Sequence, residues 1–243
     1  MNLIADLHCH TISSGHAYST VKENIDIARE RNLKYLGISD HAPKMPGGPD
    51  LFYFRNMNVF PENVGDIRLL KGIEANIIDF EGNIDVPDEV AQKLDYVIAS
   101  LHRPCIEPGD IEQNTSAVLN VMKNKYVRII GHPDDSKFPL NYEKVVKSAK
   151  EEGLLLEVNN SSLAPDSSRT GAKENLTEML NLCKKYRTHI IIDTDSHICY
   201  TVGDFEYALA LLEEVDFPEE LIVNCNEAMM EKLIDIKKIP RRL

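Results

Sequence analysis

Paired cysteines, long apolar runs, an excess of positive charge and glycine-rich phosphate loops are all missing from this 243-residue chain, and each absence removes a class of function. No uninterrupted apolar stretch approaches the ~20 residues that a membrane span needs. Asp6 and His8 interrupt the N-terminal apolar run too early for a signal peptide, so a cytoplasmic location is expected. The five cysteines, at 9, 105, 183, 199 and 225, are odd in number and include no C-x-x-C pair. That argues against a disulfide framework or a zinc ribbon and leaves reduced, mostly buried thiols. A net charge of -12 disfavours a duplex-DNA binder. The small basic cluster Lys237, Lys238, Arg241 and Arg242 reads as a solvated tail. No G-x-G-x-x-G or Walker sequence supports a Rossmann or P-loop nucleotide site.

What the chain does have is histidine in a regular place. His8, His10, His16, His41, His102, His132 and His197 all fall in short polar breaks just after apolar, β-branched runs. Only His189 begins such a run, and it reads as a strand-edge residue. Strands are expected near 2–6, 34–39, 68–74, 95–100, 127–131, 154–159, 188–193 and, more weakly, 221–224. Helical patterns separate most of them. They run from a Thr20-x-x-Glu23 capping box through about Arg31, near 114–124, near 141–152 with Asn141 as N-cap, near 174–186, near 203–214, and after Asn226. Alternation of this kind implies an α/β fold with a parallel sheet and helices outside, closed into a barrel or doubly wound. The length admits one large domain or two small ones, and the even spacing favours one, residues 1–243. The stretch 42–62, rich in proline and glycine and carrying Phe52, Tyr53 and Phe54, is either a lid or a packed excursion.

Chemistry collects at the strand ends. In Asp6-x-His8-x-His10, two imidazoles two residues apart project on the same side of an extended backbone and can grip one ion, while Cys9 points into the core. Glu74 ends the run 69–73, and Asp195-Ser196-His197 follows 190–193. Seven imidazoles with these two carboxylates suit zinc, manganese or iron. At three to five ligands per ion they hold two ions with crowded shells or three with open positions, and three is preferred. Asp6 and Asp40 are candidates to orient histidine rings through the second nitrogen, and Asp193 is left open.

These residues carry a resemblance. Asp6-Leu7-His8-Cys9-His10-Thr11 with His16-Ala17-Tyr18-Ser19-Thr20, then Ser39-Asp40-His41, Gly72-Ile73-Glu74-Ala75-Asn76, Gly131-His132-Pro133 and Asp195-Ser196-His197 resemble the PHP (polymerase and histidinol phosphatase) family, in its stand-alone YcdX-type phosphatase branch. The likeness covers nearly the whole chain, including Glu157-Val158-Asn159-Asn160-Ser161-Ser162 and Val215-Asp216-Phe217-Pro218. It implies a distorted (β/α)7 TIM-like barrel with a trinuclear metal centre at the C-terminal ends of the strands. By the same resemblance, His8, His10, Glu74 and Asp195 would hold one ion. Glu74 would bridge to a second held by His102 and His132, and His16, His41 and His197 would hold the third. Departures from the pattern are a loop after His41 that is not rich in histidine, Arg103 after His102, and the extra carboxylate of Asp193. They bear on substrate choice and leave the ligand set intact.

Such a cluster suggests hydrolysis of a small phosphomonoester at three divalent ions, zinc first, with manganese or iron as alternatives. Glu74, Asp195 and Arg169 are the candidate catalytic residues. A water whose pKa falls from 15.7 toward roughly 7 between metals would supply hydroxide for in-line attack on phosphorus. Arg169, in the polar segment after Ser162, is the first candidate for bidentate phosphate recognition, followed by Arg103 and then Arg55. Three rivals are weaker. An amidohydrolase would normally bring a bridging lysine and leave His16 and His41 surplus. A phosphodiesterase or exonuclease acting on nucleotides or single strands lacks a basic track here. A non-catalytic metal-binding regulator is opposed by the full ligand set. No membrane and no duplex nucleic acid are expected as partners, and the sequence leaves the oligomeric state open.

Overall fold

The computed structural model describes residues 1–235, so the basic cluster at 237–242 lies outside the described residues. Strand and helix alternate as the periodicity implies. In chain order they are β1 (Ala5–Asp6), α1 (Val21–Glu30), β2 (Tyr35–Ile38), α2 (Leu51–Arg55), β3 (Asn63–Val64), β4 (Ile67–Lys71), β5 (Glu74–Asn76), α3 (Asp88–Ala91) and β6 (Val97–Ser100). There follow α4 (Ile111–Val121), β7 (Val127–Ile130), α5 (Tyr142–Glu152), β8 (Leu155–Asn159), α6 (Ala172–Tyr186), β9 (Ile190–Asp193), α7 (Glu206–Glu214) and α8 (Glu227–Asp235).

The strands form two sheets, one ordered β1-β2-β4-β3 and parallel apart from the β3 hairpin, the other ordered β5-β6-β7-β8-β9 and parallel throughout. Parallel bridges at His41–Glu74 and Cys9–Ser196 join them at the strand ends that carry the histidines. Every residue of β2, β6, β8 and β9 is buried, as expected of parallel strands covered on both faces. Side chains alternate between two cores. Leu36, Ile38, Leu69, Val97, Ile130, Leu156 and Ile192 pack outward under the helices. Tyr35, Leu70, Ile98, Ile129, Leu155 and Ile191 meet in an inner cluster, floored by Met230, Leu233 and Ile234 of α8.

Local chemistry explains where elements start and stop. Thr20 and Glu23 make the reciprocal capping box at α1, and the Asn141 side chain accepts from the Lys144 amide at the start of α5. A second capping box, Asp110 with Gln113, opens α4 three residues earlier than its apolar pattern suggests. The run expected as one strand at 68–74 breaks at Gly72–Ile73 into β4 and β5, which lie in different sheets. The weak strand at 221–224 is instead two short 3-10 turns with one bridge, Ile190–Ile222. The 42–62 stretch packs down: Phe54 and Met57 are buried and the Tyr53 hydroxyl donates to Asp40 Oδ2 at 2.7 Å.

Candidate metal centre

All nine candidate ligands come to one place at the ends of the parallel strands. His8 and His10 follow β1, His41 follows β2, Glu74 opens β5, His102 follows β6, His132 follows β7, and Asp195 and His197 follow β9. Glu74, fully buried, sits in the middle. Its Oε1 lies 2.9 Å from His132 Nε2, 3.1 Å from His102 Nε2 and 3.4 Å from His8 Nε2. Its Oε2 lies 2.6 Å from His41 Nδ1 and 3.6 Å from His10 Nε2. Asp195 Oδ1 stands 3.1 Å from His10 Nε2 and 3.6 Å from His8 Nε2. The His16 ring stacks on those of His41 and His197, with centroids 4.9 and 4.8 Å away. Ligand atoms of His8, His10 and Glu74, of His41, Glu74 and His102, and of His10, His41 and His197 form three overlapping sets, each within 4.8 Å.

This packing makes poor sense as a hydrogen-bonded network. Imidazole nitrogens meet tip to tip, His102 Nε2 with His132 Nε2 and His41 Nε2 with His16 Nε2, both at 3.2 Å. Of the buried atoms facing the centre, His8 Nε2 has no hydrogen-bond partner, and His41 Nδ1 and Glu74 Oε2 meet at 2.6 Å without the alignment of a hydrogen bond. Each such group costs about 1–3 kcal/mol, and native interiors nearly always pair them. Imidazole nitrogens and carboxylate oxygens converging on one buried point are the donor set of a cation, so the residues fit a divalent metal cluster.

The rings are held from behind. His8 Nδ1 donates to Glu157 Oε1 at 2.6 Å, and His102 Nδ1 donates to Asn76 Oδ1 at 2.7 Å. His10 Nδ1 reaches Ser14 Oγ at 3.3 Å, and that hydroxyl donates to Asp40 Oδ1 at 2.6 Å. His197 Nδ1 donates to the Asp195 carbonyl at 2.9 Å. Asp40 therefore acts on a ring through Ser14. Asp6 does not contact a ring; it accepts from the Thr194 amide and hydroxyl and from the Gly203 amide. Asp193 accepts from the Leu7 amide at 2.7 Å, and burial, with Glu157 and Asp6 nearby, pushes its carboxyl well up. Glu157 is the ring-orienting residue that the motif reading did not single out. A carboxylate inside the apolar run 154–158 was the available signal. In β8 it lies on the inward face with Leu155 and Asn159.

Electrostatics follow the geometry. Burial works against charge on Glu74, yet the rings of His102, His41 and His8 hold its carboxyl well below the ordinary range. Burial also opposes charge on Asp195, but His8 and Arg169 draw it well down. Burial lowers His8, and Glu157, Glu74 and Asp195 together outweigh it, so that ring is raised well above the usual value. Burial and the neighbouring His41 and His197 push His10 well down, toward the neutral form a metal ligand needs. Two site residues carry positive φ, His132 at 25° and Asp195 at 54°, a conformation that costs of order 1–3 kcal/mol off glycine and gathers at functional sites.

Of the three candidate arginines, the structure brings one to the cluster. Arg169 donates through Nη2 to Asp195 Oδ2 at 2.8 Å and through Nη1 to Ser162 Oγ and Asn159 Oδ1 at 3.2 and 3.4 Å. Arg103 is exposed, and Arg55 is paired with Glu89 at 2.5 Å. His189 lies apart, lining a cavity of about 260 Å³ with Leu155, Met229 and Lys232.

A parallel α/β fold with a histidine–carboxylate cluster at its strand ends defines a metal-binding protein of the hydrolase type. The family model of the PHP domain matches residues 6–234, and the chain belongs to that family. It is 49% identical over 237 residues to a probable phosphatase of Clostridium botulinum (strain Hall), covering 98% of this chain and 96% of the relative. A probable phosphatase of Clostridium novyi (strain NT) is 48% identical over 227 residues, with 93% and 92% covered. Among solved structures, the fold is similar to that of histidinol phosphate phosphatase from Lactococcus lactis in complex with zinc, L-histidinol and phosphate. The TM-score is 0.64 at 20% identity, with 88% of this chain and 94% of that one covered.

Proposed function

We propose that this protein is a metal-dependent phosphatase acting on small phosphomonoesters, with three divalent ions held by His8, His10, His16, His41, Glu74, His102, His132, Asp195 and His197. The observation that carries the reading is a buried Glu74 ringed by the imidazoles of His8, His10, His41, His102 and His132, whose nitrogens converge within 3.6 Å of its carboxylate oxygens. We read the two sheets as parts of one distorted (β/α)7 barrel, with residues 1–243 acting as one unit; residues of β1, β2, β4, β6, β7, β8 and β9 sharing one inner apolar cluster support that reading. The ions divide as the resemblance implies: His8, His10 and Asp195 with Glu74, then His102 and His132 with Glu74, then His16, His41 and His197. Zinc is the first choice, as in the Lactococcus lactis enzyme, and the donors also suit manganese and iron. The free thiols fit a cytoplasmic setting.

Ions in such a cluster supply a nucleophile at neutral pH and neutralise phosphoryl charge. The chain's own residues arrange the rest. Glu157, Asn76 and the Asp40–Ser14 pair fix the rings of His8, His102 and His10, so that each keeps its second nitrogen toward the centre. Arg169 holds a planar fork at the edge of the cluster, suited to two oxygens of a phosphate. Beside it lies a groove of about 420 Å³ lined by Ser167, Lys173 and Tyr207, with room for the organic part of a small ester.

The test is release of inorganic phosphate by metal-reconstituted protein from a panel of phosphomonoesters and phosphodiesters, with Glu74→Gln as control. Monoester turnover that falls by about 100-fold or more in the variant supports the reading. Turnover of diesters alone would replace it with a nuclease-type activity. No turnover at full metal occupancy would replace it with a binding or regulatory role.

A further inference from the structure

Just past β5 the chain turns back on itself. Ile77 and Ile84 pair in an antiparallel bridge, the Ile78 amide donates to the Asn83 carbonyl at 2.9 Å, and Asp79 Oδ1 closes the turn by accepting from the Asn83 amide at 2.9 Å. This return sets Asp85 against the fully buried Asn76, and the Asp85 amide donates to the Asn76 carbonyl at 3.3 Å. The Asp85 side chain meets three N–H donors. Its Oδ1 accepts from the Asn76 amide at 2.8 Å, and its Oδ2 accepts from Asn76 Nδ2 at 2.7 Å and from the Lys44 amide at 2.8 Å. Asn76 Nδ2 also donates to the Ala42 carbonyl at 3.3 Å. The other end of the same side chain, Asn76 Oδ1, lies 2.7 Å from His102 Nδ1.

An ionised carboxylate only accepts, whereas a side-chain amide accepts at one end and donates at the other. Turned over, the Asn76 amide would press its oxygen against Asp85 Oδ2 and the Ala42 carbonyl, two acceptors, and would offer its NH2 to His102 Nδ1. That ring nitrogen would then have to accept, and the ring proton would move to Nε2, the atom 3.1 Å from Glu74 Oε1 at the centre. A protonated Nε2 cannot hold an ion. We propose that Asp85 is a positioning residue for the metal centre: it locks the Asn76 amide in the orientation that takes the Nδ1 proton of His102, and so keeps the Nε2 lone pair of that ring toward the ions. Because the same oxygen of Asp85 holds the Lys44 amide, it also ties the start of the 42–62 excursion to the back of this ligand. The inference rests on His102 as an ion ligand of the proposed phosphatase, but its test does not need turnover.

The probe is zinc, and the measurement is its retention by the full chain against a chromophoric chelator, with circular dichroism on the same samples. Asp85→Asn, which leaves one accepting oxygen for three donors, is expected to give up zinc at about tenfold lower chelator concentration than wild type. In a His102→Ala background the same change is expected to have little further effect, because it acts through that ring. Asn76→Asp combined with Asp85→Asn exchanges the two groups, so that a donor again faces an acceptor and His102 Nδ1 still meets an oxygen. This double variant is expected to recover most of the zinc retention lost in Asp85→Asn. Wild-type retention in Asp85→Asn, an equal further loss in the His102→Ala background, or a double variant no better than Asp85→Asn would each overturn the proposal. So would an Asp85→Asn protein that fails to fold, since the carboxylate would then be a structural support. Zinc retention as expected in a protein that hydrolyses no ester would leave this inference standing and defeat the phosphatase reading alone.

Discussion

At the scale of single residues, the centre depends on groups that never touch an ion as much as on those that would. Glu157 takes the Nδ1 proton of His8 with one oxygen and the His132 amide with the other, at 2.6 and 2.5 Å. Glu157→Gln is therefore expected to lower turnover by about 10–100-fold with folding retained, read as kcat with circular dichroism on the same sample. An unchanged kcat would remove Glu157 from the account. Acid stability gives a second residue-scale expectation. Burial raises Glu74, and His102, His41 and His8 more than reverse it, leaving the folded carboxyl well below 4.5. A depressed carboxyl contributes stability above its unfolded pKa and loses it as pH falls toward the folded one. Metal-free protein should thus weaken as pH drops below about 4.5, and Glu74→Gln should flatten that slope. Identical melting-temperature slopes in a chelating buffer would contradict this. Of these residues, the candidate ligands were legible because each stands just past an apolar run. Glu157 and Asn76 were not, because their roles depend on which strands neighbour each other. Asp6, close to His8 in sequence, turned out to brace Thr194 and Gly203 instead.

At the scale of elements, two glycines make room for one ring. Tyr96, just before β6, donates its hydroxyl to the Leu7 carbonyl at 2.5 Å in the inner core, and a Cβ on either Gly37 or Gly72 would collide with that side chain. Gly72→Ala is expected to cost about 1–3 kcal/mol, measured by urea denaturation. A change under about 0.5 kcal/mol would show that the ring can move aside. The 42–62 excursion is held to the site by the Tyr53–Asp40 bond. Tyr53→Phe should speed proteolytic cleavage within it, and an unaltered cleavage pattern would mean that packing of Phe54 and Met57 suffices. Strand periodicity and the Thr20 and Asn141 caps were readable from sequence because they are local. The break between β4 and β5 was not. It occurs in mid-run, where Gly72 meets the Tyr96 ring from elsewhere in the chain and the strand passes from one sheet to the other.

At the scale of the whole molecule, ions held by these residues would tie together both sheets, because β1 and β2 end at His8, His10 and His41 while β5, β6, β7 and β9 supply Glu74, His102, His132, Asp195 and His197. A ligand bound only by the native state stabilises by about 2.7 kcal/mol at 100 times its Kd, so chelation is expected to lower the melting temperature by roughly 5–10 °C. The α/β architecture and the family were visible in the order of runs and motifs. Substrate choice was not, because in folds of this kind it is set by loops whose shape follows from long-range packing. The most direct test of the account is phosphate release from a phosphomonoester as a function of metal bound per chain. Turnover that is absent in chelated protein, rises with occupancy toward three ions, and is lost in Glu74→Gln is the predicted result. Turnover that persists without metal, or a saturated cluster that releases no phosphate, would contradict it.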